Sequence, residues 1–488
     1  MLFHFHSGFQ NKRLSNEIIQ TDEIHLHVHP TYRKEQLNIK MEKKVKFRWP
    51  FAYKILYTMV AVAHKLYYRR FTVVGHEKIP LDTPVIFAAN HQNALMDALA
   101  VDYAARRSLA FLARADIFKK PFIAKLLNML KILPIYRMRD GIEALGNNQE
   151  VFDNTVAVLK SNIPLCILPE GNHEGRKRLR PLKKGIFRIA FQAEEENHYK
   201  LNLHIVPVGL DFSDYFNAGS DLTVVFGTPI KIADYAAQYH ENENKTITGL
   251  SNLLSESMRS IMIHIPEEHY ELTYQISEMY EPNVWNTCNL KRHPYNKLTI
   301  KQYIIQKVSE AFKQNPDKAS VISNSLRQYN RNLEKSGFDD CLFQQKPASF
   351  FVLLLETLLI FLLMPLNLYG LILNYIPFKI PLAIASKIKD RHFKSSVNFV
   401  VSLLLFPIYY LVIITLFSLF TEGLLLKLVF GLSLPVTGYF AFYYYQHLKT
   451  LWGKQRFFFF RHTKTSHYNT LQSERNKIIE HIKSTINS

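Results

Sequence analysis

Pro84–Ala100, PVIFAANHQNALMDALA, is the stretch whose reading decides the fold. Val85, Ile86 and Phe87 favour an extended strand, and Ala88 and Ala89 close it before a polar break at Asn90 and His91. Leu95 to Ala100 resumes as a helix, with Asn93 placed to cap it and Asp97 in its first turns. A histidine at a strand end with a carboxylate close behind is a catalytic arrangement. The carboxylate fixes the imidazole tautomer and stabilises the imidazolium formed when the ring takes a proton from a hydroxyl. A lone pair at this spacing also arises by chance, so a second motif has to carry part of the argument.

Ile167–Gly185, ILPEGNHEGRKRLRPLKKG, supplies it. A buried strand, Pro164 to Leu168, breaks at Pro169, Glu170 and Gly171 and gives way to a basic run through Arg176, Lys177, Arg178, Arg180, Lys183 and Lys184. Two polar breaks at strand ends of one α/β domain point to one cleft.

Together the Asn-His…Asp block and the Pro-Glu-Gly block resemble the glycerolipid acyltransferase superfamily, over about residues 70 to 230. The longer pattern Pro-Glu-Gly-Asn-His, followed by Pro181-Leu182-Lys183 and Gly185, looks most like the branch acting on glycerol 3-phosphate and dihydroxyacetone phosphate. Where the superfamily usually has four residues between His and Asp, five separate His91 from Asp97, a spacing associated with that branch. The usual Thr-Arg-Ser after Pro-Glu-Gly is replaced by Asn172, His173 and Glu174.

The resemblance implies a general base, His91, oriented by Asp97, and an acceptor site around Glu170, Gly171, Asn172 and His173. It also implies that Arg137, after the Ile132–Tyr136 strand, binds the acceptor phosphate, helped by Arg139, Lys183 and Lys184. Guanidinium suits that role because its planar fork matches phosphate oxygens and keeps its charge at working pH; an exposed surface arginine is the plain alternative. The implied donor is an acyl thioester, acyl-CoA or acyl-carrier-protein, with no bound cofactor and no metal.

The 488 residues are enough for two or more domains. Three scattered cysteines, Cys166, Cys288 and Cys341, make neither a disulfide framework nor a zinc site. A net charge of +19 suits anionic lipid headgroups, phosphorylated substrates or nucleic acid, but no nucleic-acid recognition module accompanies it.

Residues 1–45 read as a polar arm or a misassigned beginning, with Met41 a natural start and His25, His27 and His29 lacking partners to complete a metal site. Trp49 to Phe71 is aromatic and apolar with recurring charges, which suits a helix in the headgroup region or one packed on the core. Strands then alternate with helices to residue 230 and make 46–230 an α/β domain, which the resemblance implies is a membrane-associated acyltransferase domain. Residues 231–346 form a polar helical extension placed to cover one side of the cleft.

In the membrane region, 347–448, Val397–Phe420 carries no charge and Gly423–Tyr445 only Lys427, so each is long enough to cross a hydrocarbon core of ~30 Å. The earlier apolar stretch, 347–376, is broken by Glu356, Pro365 and Asn367 and reads as an interfacial or re-entrant hairpin, with a third span as the rival. Basic residues between Lys379 and Lys394, and in the basic C-terminal tail 449–488, place both regions and the catalytic domain on the cytoplasmic side. The sequence therefore predicts an integral membrane acyltransferase whose partners are membrane lipids, a glycerol phosphate or lysophospholipid acceptor and the acyl thioester. Acylation of lysophosphatidate is the alternative reaction. A non-catalytic protein binding anionic lipid is the reading from another class, and it leaves His91 and Glu170 without a role.

Overall fold

The structure, a computed structural model, describes residues 51–135, 152–287, 293–344 and 346–487. The expectations for the N-terminal arm, for Arg137 and Arg139 and for Cys288 lie outside the described residues.

Helix α1 (Phe51–Tyr67) precedes strands β1 (Arg70–Val74) and β2 (Val85–Ala89), and α2 (Leu95–Ala105) follows the latter. Strand β3 (Ala110–Arg114), helix α3 (Pro121–Met129), β4 (Ile132–Ile135), helix α4 (152–160), β5 (Leu165–Ile167) and α5 (Gly185–Glu195) come next. Strands β6 (His204–Phe212), β7 (Asp221–Phe226) and β8 (Ile230–Lys231) complete one sheet in the order β1-β7-β6-β2-β5-β3-β4, with β8 on β6. Pairing is parallel except where β6 meets β7 and β8.

Strand β2 lies at the centre, and all of its residues are buried. Ile86 and Ala88 face a core shared with Phe187 and Phe191 of α5, whereas Val85, Phe87 and Ala89 face Met96 and Ala100 of α2. A strand covered on both faces needs an unbroken apolar run, and VIFAA supplies one. Helix α1 packs on the α2 face, where burial alone pushes the His64 imidazole down to about 3 and keeps it neutral.

Beyond the sheet lie α6 (Ala236–Glu241) and α7 (Glu243–Ser260), then α8 (Tyr270–Thr287), α9 (Pro294–Gln314), α10 (Pro316–Ser336) and α11 (Cys341–Gln344). Helices α12 (Phe350–Ser386), α13 (Lys394–Phe420) and α14 (Leu424–Thr463) are each long and apolar enough to cross a membrane. Residues 449–488, read above as a basic tail, fold back instead. The end of α14 and α15 (Thr465–Asn487) share a core with α9 and α10, in which Leu471, Ile478 and Ile482 meet Ile304 and Leu326.

The stretch expected as an interfacial or re-entrant hairpin, 347–376, is helical from Phe350 and belongs to α12, with Pro365, Pro377 and Pro381 inside it. Prolines are tolerated in apolar helices because neighbouring groups satisfy the backbone they free. Elsewhere along α12, the Asn374 amide donates to Gly370 O (2.9 Å) and Leu434 O (3.2 Å) and accepts from the Tyr410 hydroxyl (2.6 Å), tying α12, α13 and α14 together. The start of α12 packs against the lower part of α14 through Leu353 and Leu451.

Gly75, just after β1, has φ +78°, and a Cβ there would run into the backbone of Phe226 at the end of β7. Gly75→Ala is expected to destabilise the sheet edge by ~1–3 kcal/mol, the usual cost of a strained backbone position, read as a lowered melting temperature of the detergent-solubilised protein.

Candidate active site

Strands β2 and β5 run parallel and end side by side, with Ala88 opposite Ile167. The two polar breaks therefore leave the same carboxyl edge of the sheet, where α/β folds form their clefts. Where the chain leaves β2, the Asn90 amide exchanges two bonds with Leu210 of β6, Nδ2 to the carbonyl (3.1 Å) and Oδ1 from the N–H (2.6 Å). That exchange satisfies a buried polar side chain and fixes the direction in which His91 departs.

His91 Nδ1 lies 2.9 Å from Asp97 Oδ2. The same oxygen accepts from the backbone N–H of Gln92 (2.8 Å) and Asn93 (2.6 Å), and Asp97 is fully buried. The cap thus runs opposite to the sequence expectation: Asp97 reaches back to the turn, while the Asn93 side chain makes no bond to its own helix. With Nδ1–H given to the carboxylate, Nε2 is the nitrogen left to take a proton. The His91 side chain keeps 15% of its surface exposed, so the ring reaches solvent.

Glu170 comes from the β5 break and is buried. Its Oε1 accepts from the His91 N–H (2.7 Å); its Oε2 accepts from the N–H (3.0 Å) and Nε (3.2 Å) of Arg180. Burial raises its pKa against the pull of those donors and the guanidinium. Gly171 makes the turn at φ +68°, with the aliphatic part of Lys183 beside it. Gln92 bridges the two loops, donating to Arg178 O (2.9 Å) and accepting from the Arg176 N–H (3.3 Å).

The helical extension closes this side. The Lys177 N–H donates to the Tyr270 hydroxyl (2.8 Å), the Leu179 N–H to His264 Nδ1 (3.0 Å), and Arg178 pairs with Glu267. Burial, aided by Arg259 and Arg178, pushes His264 down to about 4, consistent with a neutral ring that accepts.

His173 stands edge-on to His91, ring centroids 5.3 Å apart, and its Nε2 lies 3.4 Å from Asp390. Burial and His91 lower its pKa, while Asp390 opposes them. Asn172 and Lys183 are exposed. Lys184 Nζ is 3.4 Å from the Thr248 hydroxyl on α7. The structure thus brings His91, Asp97, Glu170, Gly171 and His173 together and turns Lys184 aside. Sequence reasoning missed Asn90, Gln92 and Arg180; the dense polar run after Pro-Glu-Gly was the signal for Arg180. No group of three or more His, Cys, Asp or Glu side chains that could hold a metal occurs among the described residues.

Residues 70–211 match the Acyltransferase family model. That region contains both breaks and His91, Asp97, Glu170, Gly171 and His173. The chain is 28% identical over 141 residues to the chloroplastic 1-acyl-sn-glycerol-3-phosphate acyltransferase BAT2 of Brassica napus, covering 28% of this chain and 36% of that protein. It is 24% identical over 205 residues to glycerol-3-phosphate O-acyltransferase 1 of Saccharomyces cerevisiae, covering 41% of this chain and 26% of the relative. The chain thus spans about a quarter to a third of the length of these curated relatives. Acyltransferases named for each of the two acceptors are similar to it, at comparable distances. The crystal structure of the LPA acyltransferase PlsC from Thermotoga maritima is also similar, at 17% identity and TM-score 0.31 over 42% of this chain and 80% of that one.

Removing the carboxylate at the centre of this network leaves buried donors unpaired. Glu170→Ala is expected to cost ~3–5 kcal/mol, the range for breaking a buried charge pair, seen as a fall in melting temperature; Glu170→Gln, which keeps one acceptor oxygen, should cost less.

Proposed function

We propose that this chain is a membrane-bound O-acyltransferase that moves a fatty acyl group from a thioester donor, acyl-CoA or acyl-carrier-protein, to a hydroxyl of glycerol 3-phosphate or dihydroxyacetone phosphate in phospholipid synthesis. The observation that carries the reading is the 2.9 Å contact between His91 and the fully buried Asp97 at a strand end, inside the region that matches the acyltransferase family.

In this mechanism His91 Nε2 takes the acceptor hydroxyl proton as the oxygen attacks the thioester carbonyl. The C–O bond forms, the C–S bond breaks, and the proton passes to the leaving thiolate. Asp97 stabilises the imidazolium, and proton transfer of this kind contributes ~10²–10⁴-fold. No acyl-enzyme is required. The one cysteine in the cleft strands, Cys166, is buried in β5 with its thiol pKa pushed up by that burial, and the sequence has no Gly-x-Ser-x-Gly elbow.

Arg137, with Arg139 and Lys183, would anchor the phosphate, so that binding energy away from the reacting atom positions the hydroxyl. Glu170 acts by fixing the His91 backbone and Arg180, and Gly171, Asn172 and His173 shape the acceptor side. The second reading, transfer to lysophosphatidate, is favoured by the similarity to the Brassica 1-acyl-sn-glycerol-3-phosphate acyltransferase; it leaves the chemistry at His91 unchanged. A protein that only binds anionic lipid would have no use for a buried carboxylate aimed at an imidazole.

We place the catalytic domain on the cytoplasmic side. Only Thr421–Gly423 separate α13 from α14, and the far ends of both helices contact the folded domains, at Asn93 and in the α9–α10 core. Helices α13 and α14 then account for one crossing out and one back. The start of α12 packs on Leu451 of α14 and its far end leads to Asp390 beside His173, while Asn374 reaches α13 and α14 between them, contacts that favour a re-entrant course entering and leaving on the domain side and agree with the basic residues around Lys387.

His91→Ala should lower acyl transfer by at least ~10²-fold while the protein stays membrane-bound, and Asp97→Asn should be impaired as well, measured by product formation from labelled acyl thioester. At matched donor, glycerol 3-phosphate should be the better acceptor; a tenfold preference for lysophosphatidate, ~1.4 kcal/mol in the transition state, would select the second reading.

A further inference from the structure

The turn that carries His91 and Asp97 is held from outside its own domain. Ala94 sits between Asn93 and α2 at φ +46° and ψ −122°, a conformation that a residue with a Cβ keeps only when its surroundings impose it. Two hydroxyls from the start of α13 impose it here. Ser395 Oγ donates to Asn93 Oδ1 (2.6 Å), and Ser396 Oγ accepts from the Leu95 N–H (3.2 Å), one bond on each side of the strained residue. All three polar side chains involved are buried.

Serines in the first turn of a helix commonly bond the backbone of that same turn. In α13 the residue at the cap position is Phe393, which makes no side-chain bond, and both serine hydroxyls are committed to the other turn. The preceding residues of the same segment reach the second break. Asp390 approaches His173 Nε2, and the Phe393 ring meets the His173 ring edge-on at 4.8 Å, so His173 is held between the segment and His91.

We infer that Ser395 and Ser396 are positioning residues of the active site. Their hydroxyls hold the strained Asn93–Leu95 turn in the one shape that presents the Gln92 and Asn93 N–H groups to Asp97, and Asp97 to His91. The chemistry therefore depends on the docking of a membrane helix, and a catalytic domain parted from α13 would keep its sheet while losing the alignment of its base. This inference rests on the acyl-transfer reading for its kinetic consequence and on the turn geometry alone for its structural one.

The test uses the full chain in lipid vesicles. In Ser395→Ala/Ser396→Ala, kcat should fall about tenfold or more with KM for donor and acceptor within about twofold, the signature of misplaced catalytic groups. Ser395→Thr, which keeps the hydroxyl, should restore most of the rate when paired with native Ser396. Carbethoxylation of His91 by diethyl pyrocarbonate, followed by peptide mass spectrometry, reads the imidazole without any acyl transfer; its rate should change severalfold in the double variant and stay near wild type in Ser395→Thr. If the double variant does not fold, Ser395→Ala alone carries the same comparison. An unchanged kcat, or a kcat loss with His91 carbethoxylation unaltered, overturns the inference. A wild-type protein inactive with every acceptor but with the carbethoxylation difference intact overturns the acyl-transfer reading and leaves the positioning of the turn standing.

Discussion

One carboxylate oxygen organises the site. Asp97 Oδ2 receives the His91 imidazole and the N–H groups of Gln92 and Asn93, in a position with no exposed surface. A buried carboxylate costs several kcal/mol in lost hydration unless it is multiply bonded; three convergent donors at Oδ2 offset part of that cost, while the buried Oδ1 has no partner. The same bonds close the loop after β2 into a tight turn. The imidazole is aligned by the same contacts that bond the buried carboxylate, so orientation and stability share a source.

Around that oxygen the structure nests further constraints. Asn90 locks the exit of β2 to β6, Glu170 holds the His91 backbone from β5, and Gln92 links the two loops. The outermost constraint comes from α13, whose serines reach the turn from a helix apolar enough to cross a membrane. This arrangement sets the imidazole beside a helix long and apolar enough to cross a membrane. The helical extension, tied to the basic loop through Tyr270 and His264, walls the cleft on another side.

Much of this was legible in the chain. The run VIFAA announced a strand covered on both faces, and the two polar breaks announced where strands end, so His91, Asp97 and Glu170 could be named from local pattern. What local pattern could not carry was contact between distant segments: Ser395 and Asn93 are 302 residues apart, and serines at a helix start read as ordinary caps. Pro365 was read as a break, whereas the apolar helix runs through it. The charges of residues 449–488 likewise hid the stripe of Leu471, Ile478 and Ile482 that buries α15. Lys184 was named as a phosphate ligand alongside Lys183; its ammonium lies 3.4 Å from the Thr248 hydroxyl, a contact that only tertiary packing reveals.

The central claim is that His91, held by Asp97, acts as a base in direct transfer between two bound substrates. The most direct measurement mixes the purified, vesicle-embedded protein with stoichiometric acyl thioester and follows thiol release, first without acceptor and then with glycerol 3-phosphate. Direct transfer predicts no thiol burst without acceptor, and release matched one for one by acyl ester once acceptor is present. A burst of one equivalent in the absence of acceptor, with the acyl group found on the protein, would contradict it.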